Sequence, residues 1–316
     1  MRKIVIASLL IAGLFAACGN AAPRASASEG GSEAGGMTAG VPELPLPDVP
    51  ATLRTPVDRA NYIVEHFWDA MDFRDTLRGR DIDFIEQNFA NFASVFPYAS
   101  AESRTAAVSG LMKRAEVDKE SYLVMADTAE KYLYDPNSPM LNEDFYLCFL
   151  DELLSSALLD SYEKIRYGYQ REAVLKNRAG MPAADFAFLT REGRRSNLHS
   201  VKADEFLLLI FYDPDCEHCK EIMSALESDP VIGGMTASGR VSVLAVYSGE
   251  DRKMWDERKG SLPAGWTVAI DTSDLEERGL YVLRAMPTLY LLDSSKKVIF
   301  KDIQPAALSE WLASLE

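Results

Sequence analysis

One short stretch constrains the fold more than any other part of this sequence: an apolar run that is followed at once by two cysteines. Residues 205–212 have the length of a β-strand, and all but the first are aliphatic or aromatic. Strands that are buried on both faces of a sheet have this composition. Cys216 and Cys219 come next, and the residues after them predict a helix that runs to about Glu227. A strand that leads directly into a helix predicts an α/β unit.

The rest of the C-terminal third continues this alternation. From Met181 onwards, apolar runs of strand length alternate with segments of helical spacing. The predicted elements are a strand at 241–247, a helix at 273–282, strands at 288–292 and 298–300, and a final helix at 305–315. A polar turn, Asp293-Ser294-Ser295-Lys296, joins the last two strands.

The two cysteines carry a chemical prediction of their own. Cys216 stands where the helix begins, and the unpaired backbone N–H groups of a helix N-terminus stabilise a thiolate. Cys219 lies one turn further, where it is shielded and placed to resolve a mixed disulfide formed by Cys216. The spacing permits both a dithiol and a disulfide form. We therefore predict a redox-active disulfide, Cys216–Cys219, and no other cofactor.

The order of these elements resembles the thioredoxin-like fold over roughly residues 181–316. The sequence Met286-Pro287-Thr288 matches the loop that carries a cis-proline opposite the cysteines in that family. Within the family, the chain most resembles the membrane-tethered TlpA-type reductases, because it has an extra segment after Tyr247. The resemblance implies catalytic roles for Cys216, Cys219 and Pro287. It implies that Met286 and Thr288, which flank the proline, position the substrate chain.

Charged neighbours act on Cys216 in opposite directions. A protonated His218 favours the thiolate, whereas Glu217 and the two aspartates before the cysteine, Asp213 and Asp215, oppose it. His218 and Glu217, which lie between the two cysteines, are therefore the residues that we expect to tune the thiol.

The sequence also departs from the thioredoxin pattern. Ile210 stands where thioredoxins carry the buried aspartate that helps to deprotonate the second cysteine. The resemblance to TlpA-type proteins suggests a carboxylate from the central insertion instead. Glu250, Asp251 and Glu257 are the candidates, and the sequence does not choose among them.

Residues 51–180 predict a bundle of five or six helices. Thr55 is a typical N-cap residue, and Pro56 follows it at the first helical position. Apolar residues then recur at helical spacing. The segment from His66 to Thr76 resembles an uncharacterised helical domain that precedes a thioredoxin-like domain in Bacteroidetes lipoproteins. The predicted fold class is α+β overall: an N-terminal helical bundle followed by an α/β thioredoxin-like domain with a central mixed sheet flanked by helices.

The N-terminus predicts export. Arg2 and Lys3 precede an uncharged stretch, 4–17, which as a helix spans only about 21 Å of a hydrocarbon core of about 30 Å. The stretch therefore fits a signal peptide, 1–17, and its end, Leu14-Phe15-Ala16-Ala17-Cys18, resembles a lipobox that implies lipidation of Cys18. An ordinary secretory peptide with a chance cysteine is the alternative. Residues 18–50 predict a flexible linker.

Composition limits the remaining function classes. A formal net charge of −15 argues against nucleic-acid binding. A structural zinc site at Cys216 and Cys219 would need two further ligands, and no second Cys-x-x-Cys is present, so we predict no metal site. Cys148 lies in an apolar segment and is expected to be an inert core residue. His66 and His199 receive no functional role.

Together these observations predict a membrane-anchored thiol–disulfide oxidoreductase, either a reductase or an isomerase, with protein thiols and disulfides as substrates. We expect it in the cell envelope, lipid-anchored and facing the periplasm, where a reductase requires a transmembrane electron donor. The alternative is a redox-inactive thioredoxin-like binding or scaffold lipoprotein. In that alternative Trp255 and Trp266 could line a peptide groove, although surface or core positions are the favoured interpretation.

Overall fold

The computed structural model describes residues 42–315, which form one compact unit. The predicted signal peptide, the predicted lipidation site Cys18 and the predicted linker as far as residue 41 lie outside the described residues. No described helix has both the length and the apolar character needed to cross a membrane.

The N-terminal half is helical, as the apolar spacing predicts, but its described residues form seven helices rather than five or six. Its helices are α1 (Pro56–His66), α2 (Thr76–Gly79), α3 (Ile82–Ala93), α4 (Ala101–Ala115), α5 (Lys119–Leu133), α6 (Glu143–Ser155) and α7 (Glu163–Leu175). Side chains that accept an N–H of the first turn begin six of them: Thr55, Asp75, Asp81, Ser100, Asp118 and Asn142. Such caps satisfy backbone donors that a helix start otherwise leaves unpaired.

Aromatic side chains fill the core of this bundle. The core members include Phe67, Trp68, Phe89, Phe92, Phe96 and Phe149. The end of the expected linker also packs here, because Leu44 is buried and its N–H donates to Asn88 Oδ1 at 2.7 Å. Residues 42–50 are therefore attached to the bundle at this point rather than free.

The C-terminal half holds a seven-stranded mixed sheet. Its strands are β1 (Ala187–Thr190), β2 (Arg195–Asn197), β3 (Phe206–Tyr212), β4 (Val241–Tyr247), β5 (Thr267–Asp271), β6 (Thr288–Asp293) and β7 (Val298–Lys301), in the order β2-β1-β5-β4-β3-β6-β7. Its helices are α8 (Glu217–Ser228), α9 (Pro230–Ala237), α10 (Arg252–Arg258) and α11 (Pro305–Ala313). β3 pairs in parallel with β4 and antiparallel with β6.

Strand β3 lies at the centre of two apolar layers. Leu208, Ile210 and Tyr212 join the cluster on one face of the sheet, which includes residues of α8, α9 and α11. Leu207 and Leu209 join the cluster on the other face. This double burial confirms the prediction from the apolar run, and the overall architecture confirms the predicted fold class.

The helix predicted at 273–282 is wrong. Asp271 accepts hydrogen bonds from the backbone of Ser273 and Leu275, which holds the chain in a turn directly after β5. Asp274 and Gly279 then adopt positive φ angles of 53° and 60°. Left-handed backbone at two positions interrupts a right-handed helix, so the segment contains only turns.

Candidate functional site

The register of the sheet brings the two predicted site loops to one edge. β3 ends at Tyr212, directly before the loop that carries Cys216. Phe211 pairs with Thr288 of β6, so Pro287 and Met286 come next to the end of β3. Tyr247, the last residue of β4, pairs with Tyr212 at the same edge. The cysteine loop and the proline loop are therefore neighbours.

Asp213 shapes the loop between β3 and α8. Its Oδ1 accepts the N–H of Asp215 at 2.8 Å, and its carbonyl oxygen accepts the N–H of Cys216 at 3.2 Å. An aspartate that hydrogen-bonds the backbone two residues on is a common way to close a tight turn. From the sequence, Asp213 was expected to act only as a repulsive charge, so this role was missed.

Cys216 is the N-cap of α8, as predicted. Its Sγ accepts the N–H of Cys219 at 3.3 Å, the position that an oxygen takes in ordinary N-caps. A negative charge on this sulfur faces the positive end of the helix dipole. Both cysteines are free thiols, so the structure shows the dithiol form.

The two thiols differ sharply in exposure. Cys216 is partly exposed, whereas Cys219 is only 1% exposed and packs into the cluster that contains Tyr212. Burial raises the pKa of the Cys219 thiol, and the adjacent Cys216 sulfur and the Asp213 carboxylate raise it further, while a hydrogen bond from the Asp213 backbone lowers it. The arrangement presents one thiol to solvent and holds the other protonated behind it.

The proline loop has the predicted geometry. The Met286–Pro287 peptide bond is cis. Thr288 is buried, and its Oγ1 donates to the carbonyl oxygen of Ala285 at 2.6 Å, which closes the loop. Met286 is half-buried and contacts both apolar clusters of the sheet.

The side chains between the cysteines point to helix neighbours. His218 Nδ1 lies 3.6 Å from Glu221 Oε2, and both side chains are largely exposed. Glu217 forms an ion pair with Lys220 at 2.6 Å, and this lysine lowers the pKa of the Glu217 carboxyl. In this arrangement Lys220 partly balances the charge of Glu217 along the helix.

One residue near the cysteines was not found from the sequence. Arg258, at the end of α10, lies with its Nη2 3.5 Å from Asp215 Oδ1, directly before Cys216. It also lowers the pKa of the Glu217 carboxyl. The only sequence signal was a basic residue in the insertion, where carboxylates alone were expected to act on the cysteines.

The insertion carboxylates are not among the groups that most affect the pKa of Cys219. Asp251 caps α10, where its Oδ1 accepts the N–H of Met254 at 2.9 Å. The carboxylate with the largest effect on the pKa of Cys219 is that of Asp213, rather than Glu250, Asp251 or Glu257.

Trp255 and Trp266 do not line a peptide groove. Both side chains are buried, at 1% and 6% exposure, and belong to the same apolar cluster as Cys219. They lie in the core because α10 and β5 fold the insertion against the sheet. Burial in this cluster also raises the pKa of Tyr212 to about 12.

The remaining histidines and Cys148 have structural neighbours. His66 Nδ1 lies 2.7 Å from Asp69 Oδ2, and His199 Nε2 lies 2.9 Å from the carbonyl oxygen of Ala183. Cys148 is partly buried against the helical core, and burial raises its pKa. Residues 42–315 contain no cluster of three or more His, Cys, Asp or Glu side chains suited to a metal ion.

Comparison with known proteins identifies the lineage. The family described as a domain of unknown function (DUF5106) matches residues 20–177. The crystal structure of a thioredoxin-like protein from Bacteroides caccae is 33% identical, with a TM-score of 0.80, and the match covers 86% of this chain and 98% of that one. The chain belongs to the DUF5106 family and is a thioredoxin-like protein. This confirms the predicted helical domain followed by a thioredoxin-like domain.

Shorter solved structures match a part of this DUF5106 protein. The C-terminal domain of an uncharacterised protein from Bacteroides fragilis is 35% identical and covers 43% of this chain and 98% of that chain, with a TM-score of 0.42. A domain of a possible thiol-disulfide isomerase from Cytophaga hutchinsonii is 21% identical over 45% of this chain and 95% of that chain, with a TM-score of 0.37. No curated protein matches the sequence.

Proposed function

We propose that this protein is a thiol–disulfide oxidoreductase, a reductase or isomerase, that exchanges disulfides with protein substrates through Cys216 and Cys219. The observation that supports this most directly is the pairing of a partly exposed Cys216 at the N-cap of α8 with a buried Cys219 one turn along it. The cis Met286–Pro287 bond lies at the same sheet edge. No group other than the cysteine pair is required.

The reaction proceeds in two exchanges. The Cys216 thiolate attacks one sulfur of a substrate disulfide, so a Cys216–substrate bond forms, the substrate S–S bond breaks, and the departing sulfur takes up a proton. Cys219 then loses its proton and attacks the Cys216 sulfur, which releases the second substrate sulfur as a thiol. Two electrons have passed to the substrate, and Cys216 and Cys219 are left as a disulfide.

A reductase and an isomerase differ in the fate of the mixed disulfide between Cys216 and the substrate. A reductase completes the second exchange and must then be reduced again by a dithiol donor. An isomerase is released earlier, when another thiol of the substrate attacks the mixed disulfide and frees Cys216. The raised pKa of Cys219 slows the second exchange at neutral pH and so gives the substrate time to rearrange.

The proline loop aligns the substrate. A polypeptide lying in extended form beside residues 285–287 can pair its backbone with that of Met286, as a strand added to a sheet edge does. Thr288 fixes this loop through its bond to Ala285. Backbone pairing accepts many sequences, which suits an enzyme that acts on protein disulfides in general.

The cellular setting is also a proposal. Removal of residues 1–17 and lipidation of Cys18 would leave the linker to hold the folded unit near a membrane of the cell envelope, facing the periplasm. A transmembrane dithiol donor would then supply electrons, because each reduced substrate leaves Cys216 and Cys219 as a disulfide. Metabolic labelling with a fatty acid, compared between the natural chain and Cys18→Ser, tests this part.

A trapping experiment tests the proposed activity. In Cys219→Ala the second exchange is blocked, so Cys216 should accumulate mixed disulfides with envelope proteins that disappear on reduction. Cys216→Ala and Cys148→Ala are the matched controls: the first should abolish the adducts and the second should not change them. Absence of adducts in Cys219→Ala, together with no reduction of insulin by the natural protein, would favour the redox-inactive scaffold.

A further inference from the structure

Four charged side chains form an ion cluster where the helical bundle meets the thioredoxin-like part. Arg284 lies 2.8 Å from Glu143 and 2.9 Å from Asp302, and Lys301 lies 2.7 Å from Glu143. All four side chains are largely buried, with exposed fractions that range from 9% for Lys301 to 16% for Asp302. Glu143 comes from α6, whereas the other three come from the thioredoxin-like part.

The bundle contributes backbone and aromatic contacts as well. Arg284 donates to the carbonyl oxygen of Tyr134, just after α5, and its guanidinium lies 3.9 Å from the centre of that ring. Lys301 donates to the carbonyl oxygens of Ala173 and Lys176, at the end of α7, at 3.0 and 3.1 Å. The C-terminal ends of two helices and the first turn of a third thus bind two cations.

Arg284 links this ion cluster to the proline loop, because it lies directly before that loop in the sequence. Arg284 stands two residues before Met286 and directly before Ala285, which accepts the hydrogen bond from Thr288. The aligning loop is therefore fixed on one side by Thr288, which pairs with β3, and on the other by Arg284, which is bound to the helical bundle. A short segment held at both ends retains little conformational freedom.

We propose that Arg284 is a positioning residue through which the helical domain sets the geometry of the substrate-aligning loop, residues 285–287. The inference rests on the proposed oxidoreductase activity and assigns the helical domain a role in polypeptide recognition. Arg284 faces the bundle, so it acts on the loop backbone and leaves the sulfur chemistry of Cys216 unchanged.

The test compares a polypeptide disulfide with a small one. In Arg284→Met, KM for insulin should rise about tenfold or more, because a misplaced aligning loop binds the extended chain poorly. The rate at which reduced protein reacts with the small disulfide dithionitrobenzoate, and the reduction potential measured against glutathione, should stay within about twofold of the natural protein, because neither depends on backbone alignment.

Lys301→Met is the matched control. It removes a cation of the same cluster and breaks contacts to the same bundle, but Lys301 lies on β7 rather than on the aligning loop. It should lower the melting temperature and leave KM for insulin near the natural value. Arg284→Lys should restore part of the binding.

The possible outcomes distinguish a failure of the proposed function from a failure of the positioning role of Arg284. If the natural protein reacts with neither disulfide, the proposed function is wrong and the positioning role falls with it. If the natural protein is active but Arg284→Met leaves KM for insulin unchanged, or if Lys301→Met raises KM equally, only the positioning role of Arg284 is refuted. An equal loss of activity towards insulin and dithionitrobenzoate would also refute the positioning role, because general damage to the site would then explain both losses.

Discussion

The ion cluster at Arg284 also predicts a large and pH-dependent effect on stability. Arg284→Met keeps the apolar stem but removes one of two cations from Glu143 and the ion pair from Asp302. Removing one partner of a buried ion pair costs about 3–5 kcal/mol, and we expect the lower end because Lys301 still contacts Glu143. With about 2–3 °C per kcal/mol for a chain of this size, the melting temperature should fall by about 6–9 °C.

The sign of the pH dependence depends on Glu143. Burial raises its pKa above the usual value, and the charge of Arg284 counteracts this increase. Loss of Arg284 therefore raises the pKa of Glu143 further. A carboxyl whose pKa is higher in the folded than in the unfolded state destabilises the fold above the unfolded value, about 4.3, and the penalty vanishes below it. The stability difference between Arg284→Met and the natural protein should be largest near pH 8 and shrink towards pH 4.

Urea unfolding of both proteins across this pH range measures the effect. Arg74→Met is the matched control, because Arg74 pairs with Asp72 at 2.9 Å on the surface, with 81% of its side chain exposed. Ion pairs that are exposed to solvent contribute little to stability, so this variant should unfold almost like the natural protein. A loss below about 1 kcal/mol for Arg284→Met at pH 8, or a loss that does not depend on pH, would refute the assignment of the cluster as buried and tightly coupled.

Two further predictions concern the cysteine site. Because burial raises the pKa of Cys219, the dithiol form should lose stability as the pH rises above the unfolded value of about 8.5. Cys219→Ala should lose less, since only the other buried thiol, Cys148, still contributes. Thermal unfolding between pH 7 and 10 measures the difference, and identical profiles would contradict it. Asp213→Asn keeps the oxygen that accepts the Asp215 N–H but removes a charge that raises the pKa of Cys219. The attack of Cys219 on a preformed mixed disulfide, measured by stopped flow, should therefore become faster by about a few-fold. A slower reaction would instead identify Asp213 as the proton acceptor.

The elements that the sequence predicts well are those whose cause is local. The apolar run of β3, the similar run of β4 and the N-cap position of Cys216 each depend on a few adjacent residues. The cis form of Met286–Pro287 agrees with the family resemblance. β2 was missed because a strand of three residues, one exposed and two only partly buried, has no clear alternation to detect.

The errors arise where side chains or distant segments decide the structure. The segment after β5 has helical composition, but Asp271 and the left-handed Asp274 turn the chain instead. The pairing of Arg258 with Asp215 joins residues that lie far apart in sequence. The burial of Trp255 and Trp266 depends on the insertion folding onto the sheet, which composition alone does not show.

Under the proposed function, the structure separates the two tasks that disulfide exchange on a polypeptide requires. Reactivity depends on short-range features: the helix start at Cys216, the turn at Asp213 and the burial of Cys219. Alignment of the substrate depends on a loop whose position is fixed by β3 on one side and by the helical bundle, through Arg284, on the other. The proposal therefore predicts that a change in the bundle alters which polypeptides are bound while the sulfur chemistry stays the same. Under this division, a variant that changes reactivity towards insulin and dithionitrobenzoate equally should lie in the cysteine loop or α8, and one that changes only insulin should lie along the path from Glu143 to Met286.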